Sequence, residues 1–356
     1  MSNNLITLSE NMSKRINCLR FILALGVVFI HNDMRKITHM GVAIIIPDYI
    51  NIMYSIFDAI TMISVPLFFF FAGYFVFLKS YSFSLLIKKK TQQILIPYIF
   101  WICIIIILYY IAQSTSVMRP FFSQPYNIIR NFTFIDWIDI FWGKINRPGG
   151  VPIVPQFWFL RDLFILTILY PFLKRLIDFL PIFTITVSLY FFVMDSNIFI
   201  VRSDALFFFC LSGVIVKNNI NLEEVDKIKY LDVLLVYVIA AILYIFVPSF
   251  SQIASSITIL SGMLLLLKLS EYLIMNSRVY SFFSYMSKYA FWLYSVHLLI
   301  VQSLAKLFLY FFPINSFTLV FEYFFVVFIA LAISILTGAF FKNYLPFLFS
   351  ILTGSR

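Results

Sequence analysis

Two ionisable side chains interrupt the first apolar stretch of the chain, "CLRFILALGVVFIHN", residues 18–32. Arg20 lies near its start and His31 near its end. An imidazole accepts and returns protons near neutral pH, and a guanidinium binds phosphate and carboxylate groups. The two residues therefore have the side-chain types needed for general-base catalysis and for binding an anionic substrate.

The spacing of Arg20 and His31 places both on one face of a helix. Eleven residues make three turns plus about 20° and span about 16 Å along the axis. Because an ionisable group inside a membrane normally faces a cavity or a partner, we expect this helix to line a polar cleft. The alternatives are that Arg20 snorkels to the inner lipid headgroups and that His31 is an interfacial histidine.

Composition identifies a membrane protein. Of 356 residues, 62% are hydrophobic and 12% are charged, and the mean hydropathy is +0.97. The first 13 residues are polar, and no small-residue cleavage site follows the first apolar run, so we predict a spanning helix there and not a cleaved signal peptide.

We predict an all-α integral membrane protein with about ten transmembrane helices around the polar cleft. A helix needs about 20 predominantly apolar residues to cross the hydrocarbon core. The predicted spans are residues 16–34, 52–77, 93–112, 157–173, 177–194, 199–216, 231–248, 252–268, 289–312 and 318–341.

The basic residues indicate the orientation of these spans. With the N-terminus inside, inner segments hold sixteen of the 26 Lys and Arg residues and outer segments hold seven. This asymmetry predicts that both termini are cytoplasmic. We expect the protein to lie in the inner (plasma) membrane as a multi-pass protein. The net charge of +10 is then an orientation signal and an attraction to anionic lipid, and we expect no nucleic-acid partner.

The predicted organisation is a single transmembrane domain, residues 14–345. A cytoplasmic N-terminal tail, residues 1–13, precedes it, and a C-terminal tail, residues 346–356, follows it. The outer loop 113–156 contains the turn-forming sequence "NRPGGVP" and several aromatic residues, so we expect a partly folded cap over the outer face.

Three further residues are candidates for acceptor binding or for the wall of the cleft. Trp158 and Arg161 share roughly one helix face, and Trp158 could stack on a sugar or belong to the interfacial aromatic belt. Asp162 points about 100° away from Arg161, so no facing pair is expected. His297 lies near the middle of its span, where it could line the cleft or form an interhelical hydrogen bond.

Other polar or reactive residues carry weaker signals. Cys18, Cys103 and Cys210 lie in separate apolar segments without metal-ligand spacing, so we interpret them as packing residues and expect no metal site. Glu322 and Lys306 lie toward the outer ends of the last two spans and could pair with each other.

Several segments together resemble acyltransferase family 3, a family of membrane acyltransferases. The first span matches the family's hallmark of an Arg, ten residues and a His. One departure is Lys88, Lys89 and Lys90 in a loop where many members carry Arg-x-Arg. The similar segments are "RINCLRFILALGVVFIHN", "VPLFFFFAGYFVF", "IKKKTQQILIPYIFW", "FWFLRDLFILTILYPFL", "RSDALFFFCLSGVIV" and "YAFWLYSVHLLIV".

The resemblance implies an O-acyltransferase that moves an acyl group, commonly acetyl from acetyl-CoA, to a hydroxyl of a glycan or lipid-linked sugar. Acetyl-CoA is then a donor substrate, and no bound cofactor is expected. His31 would be the general base or an acyl relay. Arg20, the second residue assigned to the catalytic site, would hold a phosphate or the thioester end of CoA or would structure the cleft, and the three lysines would bind the donor. Capsule, O-antigen, exopolysaccharide and peptidoglycan precursors are open as acceptors, and succinyl is open as the acyl group.

A glycolipid or polysaccharide transporter or flippase is the alternative function, because it too needs a polar cleft. Such proteins more often show repeated halves with helices broken by Gly or Pro. The sequence shows no such repeat and contains only ten glycines. Transfer or hydrolysis of acetyl-CoA by purified protein separates the two classes, since only the enzyme shows it.

The charge asymmetry predicts the sidedness of three positions. Single-cysteine labels at Lys89 and Glu224 should be accessible from the cytoplasm only, and a label at Gly149 from outside only. The measurement is labelling with an impermeant maleimide in intact and permeabilised cells. Labelling of Gly149 from the cytoplasm alone would overturn the ten-span topology.

Overall fold

The chain is almost wholly helical in the computed structural model, which describes residues 8–36, 38–39, 42–79, 81–116, 119, 125–196 and 200–355. One short antiparallel pair, β1 (Thr38–His39) with β2 (Val42–Ala43), follows the first helix. The α-helices are α1 Glu10–His31, α2 Asp48–Thr61, α3 Ser64–Lys79, α4 Phe83–Lys90, α5 Ile96–Ser114, α6 Phe134–Trp142, α7 Trp158–Phe179, α8 Pro181–Val193, α9 Ser203–Lys217, α10 Tyr230–Phe246, α11 Ser251–Met275, α12 Ser277–Ser287, α13 Ala290–Phe311, α14 Ser316–Tyr344 and α15 Pro346–Thr353.

Each predicted span coincides with helical structure, so the all-helical prediction is confirmed for the described residues. The apolar helices α8 and α10 are shorter than a full span. The number of crossings and the sidedness of the termini stay predictions. Six helical segments of the described chain are long and apolar enough to cross a membrane: Asp48–Lys79, Phe83–Ser114, Pro155–Phe179, Pro248–Met275, Ala290–Phe311 and Ser316–Tyr344.

The second predicted span, residues 52–77, is two helices in the structure. α2 ends at Thr61 and α3 begins at Ser64. Pro66 has no backbone N–H and therefore cannot donate to the carbonyl of Met62, which explains a break at this point. The uninterrupted apolar composition of the segment hid this break from a reading based on hydropathy.

The chain forms two compact units. The first contains Met1–Tyr81 and Leu169–Ala339, and the second contains Ser82–Ile168 and Phe340–Arg356. Within the first unit, α1 packs against α2, α3, α11, α12 and α13. Its buried residues Ala24 and Val28 belong to one apolar cluster with Leu293 of α13 and Ala330 of α14. The helix predicted to carry the chemistry therefore packs against five other helices of this unit.

Close approach between α3 and α9 depends on a glycine. A Cβ atom placed on Gly73 would lie 2.3 Å from Ser212 Oγ and 3.1 Å from the carbonyl oxygen of Phe209. Small residues at such crossings let membrane helices pack by dispersion forces, since lipid supplies no hydrophobic drive between helices.

The second unit is built on α4, a π-helical turn at Thr91–Leu95, and α5. α15 lies in the predicted C-terminal tail and packs on α5, where Trp101 Nε1 donates to the carbonyl of Leu352 at 2.9 Å. Gly354 ends α15 with a φ of +70°, and a Cβ there would lie 2.5 Å from the carbonyl oxygen of Gln93. The chain's C-terminal residues thus contact the π-helical turn that follows the lysine cluster.

Helical structure is present within residues 125–156, the described part of the predicted outer loop. α6 begins with a capping box formed by Thr133 and Asp136. The buried carboxylate of Asp139 accepts hydrogen bonds from the backbone N–H groups of Ile145, Asn146 and Arg147 at 2.8–3.0 Å. These bonds satisfy the buried charge and hold the turn-forming sequence against α6.

The start of α1 is anchored by a buried arginine in the first unit. Arg15 donates through both terminal nitrogens to Asp226, at 2.7 and 3.0 Å, and through Nε to Ser270 Oγ at 2.9 Å. A third acceptor is the carbonyl of Leu267. The neighbouring Lys14 instead makes an exposed pair with Glu10. Arg15 is therefore a structural residue that ties α1 to α11.

Arg15→Ala should lower stability strongly, because it leaves the Asp226 carboxylate and two further acceptors without their donor. Loss of one partner of a buried pair costs roughly 3 kcal/mol. The measurement is the thermal unfolding midpoint of detergent-purified protein. Lys14→Ala is the matched control and should change the midpoint little, since its pair is exposed. Equal midpoints for the two variants would contradict the anchoring role.

Candidate active site

Two of the predicted site residues meet in the first unit. His31 is the last residue of α1, and His297 lies in α13, which packs against α1. Their ring centroids are 5.2 Å apart and their planes are inclined by 41°. His297 is 0% exposed, whereas His31 is half-buried. The structure therefore places a buried imidazole directly behind an accessible one.

The hydrogen bonds of His297 determine its protonation pattern. Its Nδ1 lies 2.7 Å from the carbonyl oxygen of Tyr294 and 3.2 Å from that of Leu293. Carbonyl oxygens only accept, so Nδ1 carries the proton and the neutral ring keeps a lone pair on Nε2. Nε2 is buried without a hydrogen-bond partner among the described residues. These hydrogen bonds lie within α13, so they are not the interhelical bond considered from the sequence.

Beyond His31 the chain enters a network of charged groups. Asp33 is buried and accepts from Arg35 Nε and Nη2, both at 2.8 Å. Arg35 Nη2 also bonds Asp58 of α2. Burial alone would lower the pKa of the Arg35 guanidinium, but its hydrogen bonds and ion pairs with the two carboxylates raise that pKa above its ordinary value. The network ties the end of α1 to α2.

A second buried acid lies next to this end of α1. Glu322 of α14 is fully buried, and neither carboxylate oxygen has a hydrogen-bond partner among the described residues. The hydroxyl of Tyr54 and Oδ1 of Asn32 are also buried without a hydrogen-bond partner among the described residues. Asn32 Nδ2, in contrast, donates to the carbonyl of Tyr323 at 3.0 Å. An unsatisfied buried polar group costs about 1–3 kcal/mol, so such a cluster marks a site whose chemistry offsets that cost.

The interpretation that Glu322 pairs with Lys306 is wrong. Lys306 is exposed on α13, and the described chain shows no ion pair between the two. The sequence did offer a signal, which was one carboxylate in a long apolar run. The residues around Glu322 come from segments about 270 residues away in the sequence, so only the packing of the helices could identify them.

Arg20 differs from the other arginine of α1. It is exposed and makes no hydrogen bond or ion pair with another residue in the described part of the chain. It shares a helix face with His31, about 16 Å along the axis. An arginine that is not used to hold the fold keeps all five N–H donors available for an anionic ligand.

The lysine cluster belongs to the second unit. Lys88, Lys89 and Lys90 form the last turn of α4, directly before the π-helical turn. Consecutive helix positions diverge by about 100°, so the three ammonium groups cannot all point in one direction. Lys88 is exposed, and Lys89 and Lys90 are half-buried.

Arg161 and Asp162 form an ion pair, which corrects the expectation that they would not face each other. Arg161 Nε lies 2.8 Å from Asp162 Oδ1, because the long arginine side chain bends back along the helix. Arg161 Nη1 also donates to the carbonyls of Trp142 and Gly150. Both charged residues are buried. Arg161 therefore holds the outer loop onto α7.

Arg161 also borders a cavity of about 360 Å³ within the second unit. The Trp142 ring lies under its guanidinium at 5.6 Å. Trp158, the first residue of α7, is half-buried and does not line the cavity. The lining is otherwise almost entirely apolar or aromatic, and consists of Ile94, Leu95, Tyr98, Ile138, Phe141, Trp142, Leu160, Arg161, Phe164 and Ile165.

A comparison with known families agrees with this arrangement. A model for acyltransferase family 3, described as an acyltransferase domain, matches residues 13–339. The chain belongs to acyltransferase family 3. The match includes α1 with Arg20 and His31 and the whole of α13 with His297, so the resemblance read from the sequence is confirmed. The protein is a multi-pass membrane acyltransferase.

The acyltransferase is also similar to a characterised relative over nearly its full length. It is 25% identical to the succinoglycan biosynthesis protein ExoH of Rhizobium meliloti (strain 1021) over 370 residues, which is 98% of this chain and 94% of ExoH. No solved structure matches the chain.

Proposed function

We propose that this acyltransferase moves an acyl group, most simply acetyl, from acyl-CoA to a hydroxyl of a cell-surface polysaccharide or its lipid-linked precursor at the inner (plasma) membrane. The observation that carries the proposal is the pair of functional groups on α1. His31 is half-buried against the fully buried imidazole of His297, and Arg20 is exposed on the same face and bonds no residue of the described chain. The likeness to a succinoglycan biosynthesis protein supports a polysaccharide acceptor.

The proposed reaction uses His31 as general base. One ring nitrogen takes the proton of the acceptor hydroxyl as its oxygen attacks the thioester carbonyl. The C–S bond then breaks, and the departing CoA thiolate receives the proton from the imidazolium, so the products are an ester and CoA with no net proton change. Proton transfer of this kind contributes typically 10²–10⁴-fold. An acyl group carried by His31 itself is the two-step form of the same reaction.

We assign binding of the acyl-CoA donor to the cationic residues. Arg20 offers a planar, permanently charged group that can bind the phosphates or the thioester end of CoA. Lys88 is the most exposed of the three lysines in α4 and supplies a point charge of the same sign. Lys89 and Lys90 add positive charge to the same turn, which favours an anionic nucleotide at the cytoplasmic surface.

We assign the acceptor to the outer half of α7. Trp158 presents a half-buried indole that can stack on the apolar face of a sugar ring. Arg161 is committed to Asp162 and to the outer loop, so we assign it a role in shaping the acceptor side.

Trp158→Ala should therefore weaken use of the acceptor more than binding of acetyl-CoA. The measurements are acylation of surface polysaccharide in cells and acetyl-CoA binding by purified protein. Trp137→Ala, on the exposed face of α6, is the matched control and should affect neither. If Trp158→Ala folds poorly and loses acylation and acetyl-CoA binding to the same extent, Trp158 would instead be a residue of the interfacial aromatic belt.

His31→Ala should lower acyl transfer at least about 10²-fold while the protein stays inserted, because alanine has no group that accepts a proton. Arg20→Lys keeps the charge and should keep part of the activity if a point charge suffices, and Arg20→Ala should lose donor binding. The measurement is acetyl and succinyl content of surface polysaccharide by mass spectrometry, corrected for membrane abundance by blot.

His39→Ala is the control for loss of an imidazole from the chain and should leave acylation unchanged. Normal acylation by His31→Ala at normal abundance would remove the catalytic assignment. His31 would then be an interfacial histidine, and Arg20 a cation that snorkels to the inner headgroups.

A further inference from the structure

His297 has an arrangement that simple packing does not require. Its ring is fixed through Nδ1 to two carbonyls of its own helix, which leaves a buried lone pair on Nε2. A packing position of this size could be filled by leucine at no polar cost. The nearest aromatic ring outside α13 is that of His31, at a centroid distance of 5.2 Å.

We propose that His297 is a positioning residue for His31: its Nε2 accepts a hydrogen bond from one ring nitrogen of His31, which leaves the other nitrogen to take the proton. A centroid separation of 5.2 Å suits an N–H···N hydrogen bond of about 3 Å between two imidazole rings, so a turn of the His31 ring can complete it. Hydrogen bonds at catalytic groups are often long without substrate and shorten in the reacting complex.

The chemical consequence is control of both tautomer and charge. In a neutral imidazole, the hydrogen bond made by one ring nitrogen decides which of the two nitrogens carries the proton. When His31 takes a proton, the lone pair of His297 also stabilises the N–H of the imidazolium. A carboxylate has this role behind the histidine of serine hydrolases. Here a neutral acceptor would do so, which keeps an uncompensated negative charge out of the helix bundle.

The other charged and titratable groups at this end of α1 do not replace His297. Asp33 and Asp58 share Arg35 as their ion-pair partner. Ser270 of α11 and Ser284 of α12 lie toward the opposite end of α1, where Ser270 bonds Arg15 and Ser284 bonds Asn17. The experiment must leave unchanged the charged and tyrosine side chains that interact with one another beyond His31, and Tyr294 beside His297. They are Asp33, Arg35, Tyr54, Asp58, Tyr244, Glu322 and Tyr323.

The inference rests on the proposed function for its catalytic meaning, but its test does not. Diethyl pyrocarbonate modifies neutral imidazole only, so the pH dependence of its reaction at His31, read by peptide mass spectrometry, reports the protonation of His31 without any substrate. The chain has three histidines, and His39 serves as the internal reference. The experiment uses the full chain purified in detergent, with its variants at position 297.

In His297→Leu the pH midpoint of His31 modification should fall by about one unit, because a charged group loses a hydrogen bond. Acylation of surface polysaccharide should fall about 10-fold or more. His297→Gln keeps an acceptor oxygen of similar reach, so it should show less than half of the midpoint shift and recover part of the activity. Ser295→Ala is the matched control on α13, since its hydroxyl donates to the carbonyl of Phe291 in its own helix, and it should move neither value.

An unchanged midpoint in His297→Leu at normal abundance would overturn the inference and make His297 a packing residue. A midpoint shifted equally by the leucine and glutamine variants would also overturn it, because loss of the acceptor would not be the cause. If His31→Ala stays active while the midpoint still shifts as expected, the proposed function fails and the contact between the two imidazoles stands. The two failures are therefore distinguishable.

Discussion

The cost of placing polar side chains in an apolar helix bundle constrains the whole first unit of this protein. Three of the polar side chains on α1 meet this constraint in different ways. Arg15 is buried and fully bonded by Asp226, Ser270 and a carbonyl, so it stabilises the fold. Arg20 is exposed and unbonded within the described chain, and is therefore available to a ligand. His31 lies against the imidazole of His297. The residue that stabilises the fold and the two residues of the proposed chemistry thus occupy different positions along one helix.

The unsatisfied polar groups of the first unit are concentrated where His31 ends α1. Among its described residues, the buried side-chain atoms without partners belong to Asn32, Tyr54, His297 and Glu322. They come from four different helices or helix ends, so they are close only because these helices pack together. A protein that merely needed a stable bundle would fill these positions with apolar residues of similar size. Their presence is the physical argument for treating this end of α1 as the candidate active site.

The second unit shows how the outer loop can be shaped without a large core of its own. Asp139 accepts hydrogen bonds from three backbone N–H groups. Arg161 donates to two backbone carbonyls and also pairs with Asp162. Buried charges bonded in this way hold irregular backbone in fixed positions. The lysines of α4 and the cavity beside Arg161 belong to the same unit.

The sequence alone determined the membrane class, the helical nature of the ten apolar segments, the common face of Arg20 and His31, and the acyltransferase family. These properties depend on local composition and on helix period, which neighbouring residues specify. Tertiary structure decided which groups meet: the contact of His31 with His297, the burial of Glu322 away from Lys306, and the ion pair of Arg161 with Asp162. The first two depend on helices about 270 residues apart. The third depends on side-chain rotation, which the 100° spacing of Cβ atoms does not specify.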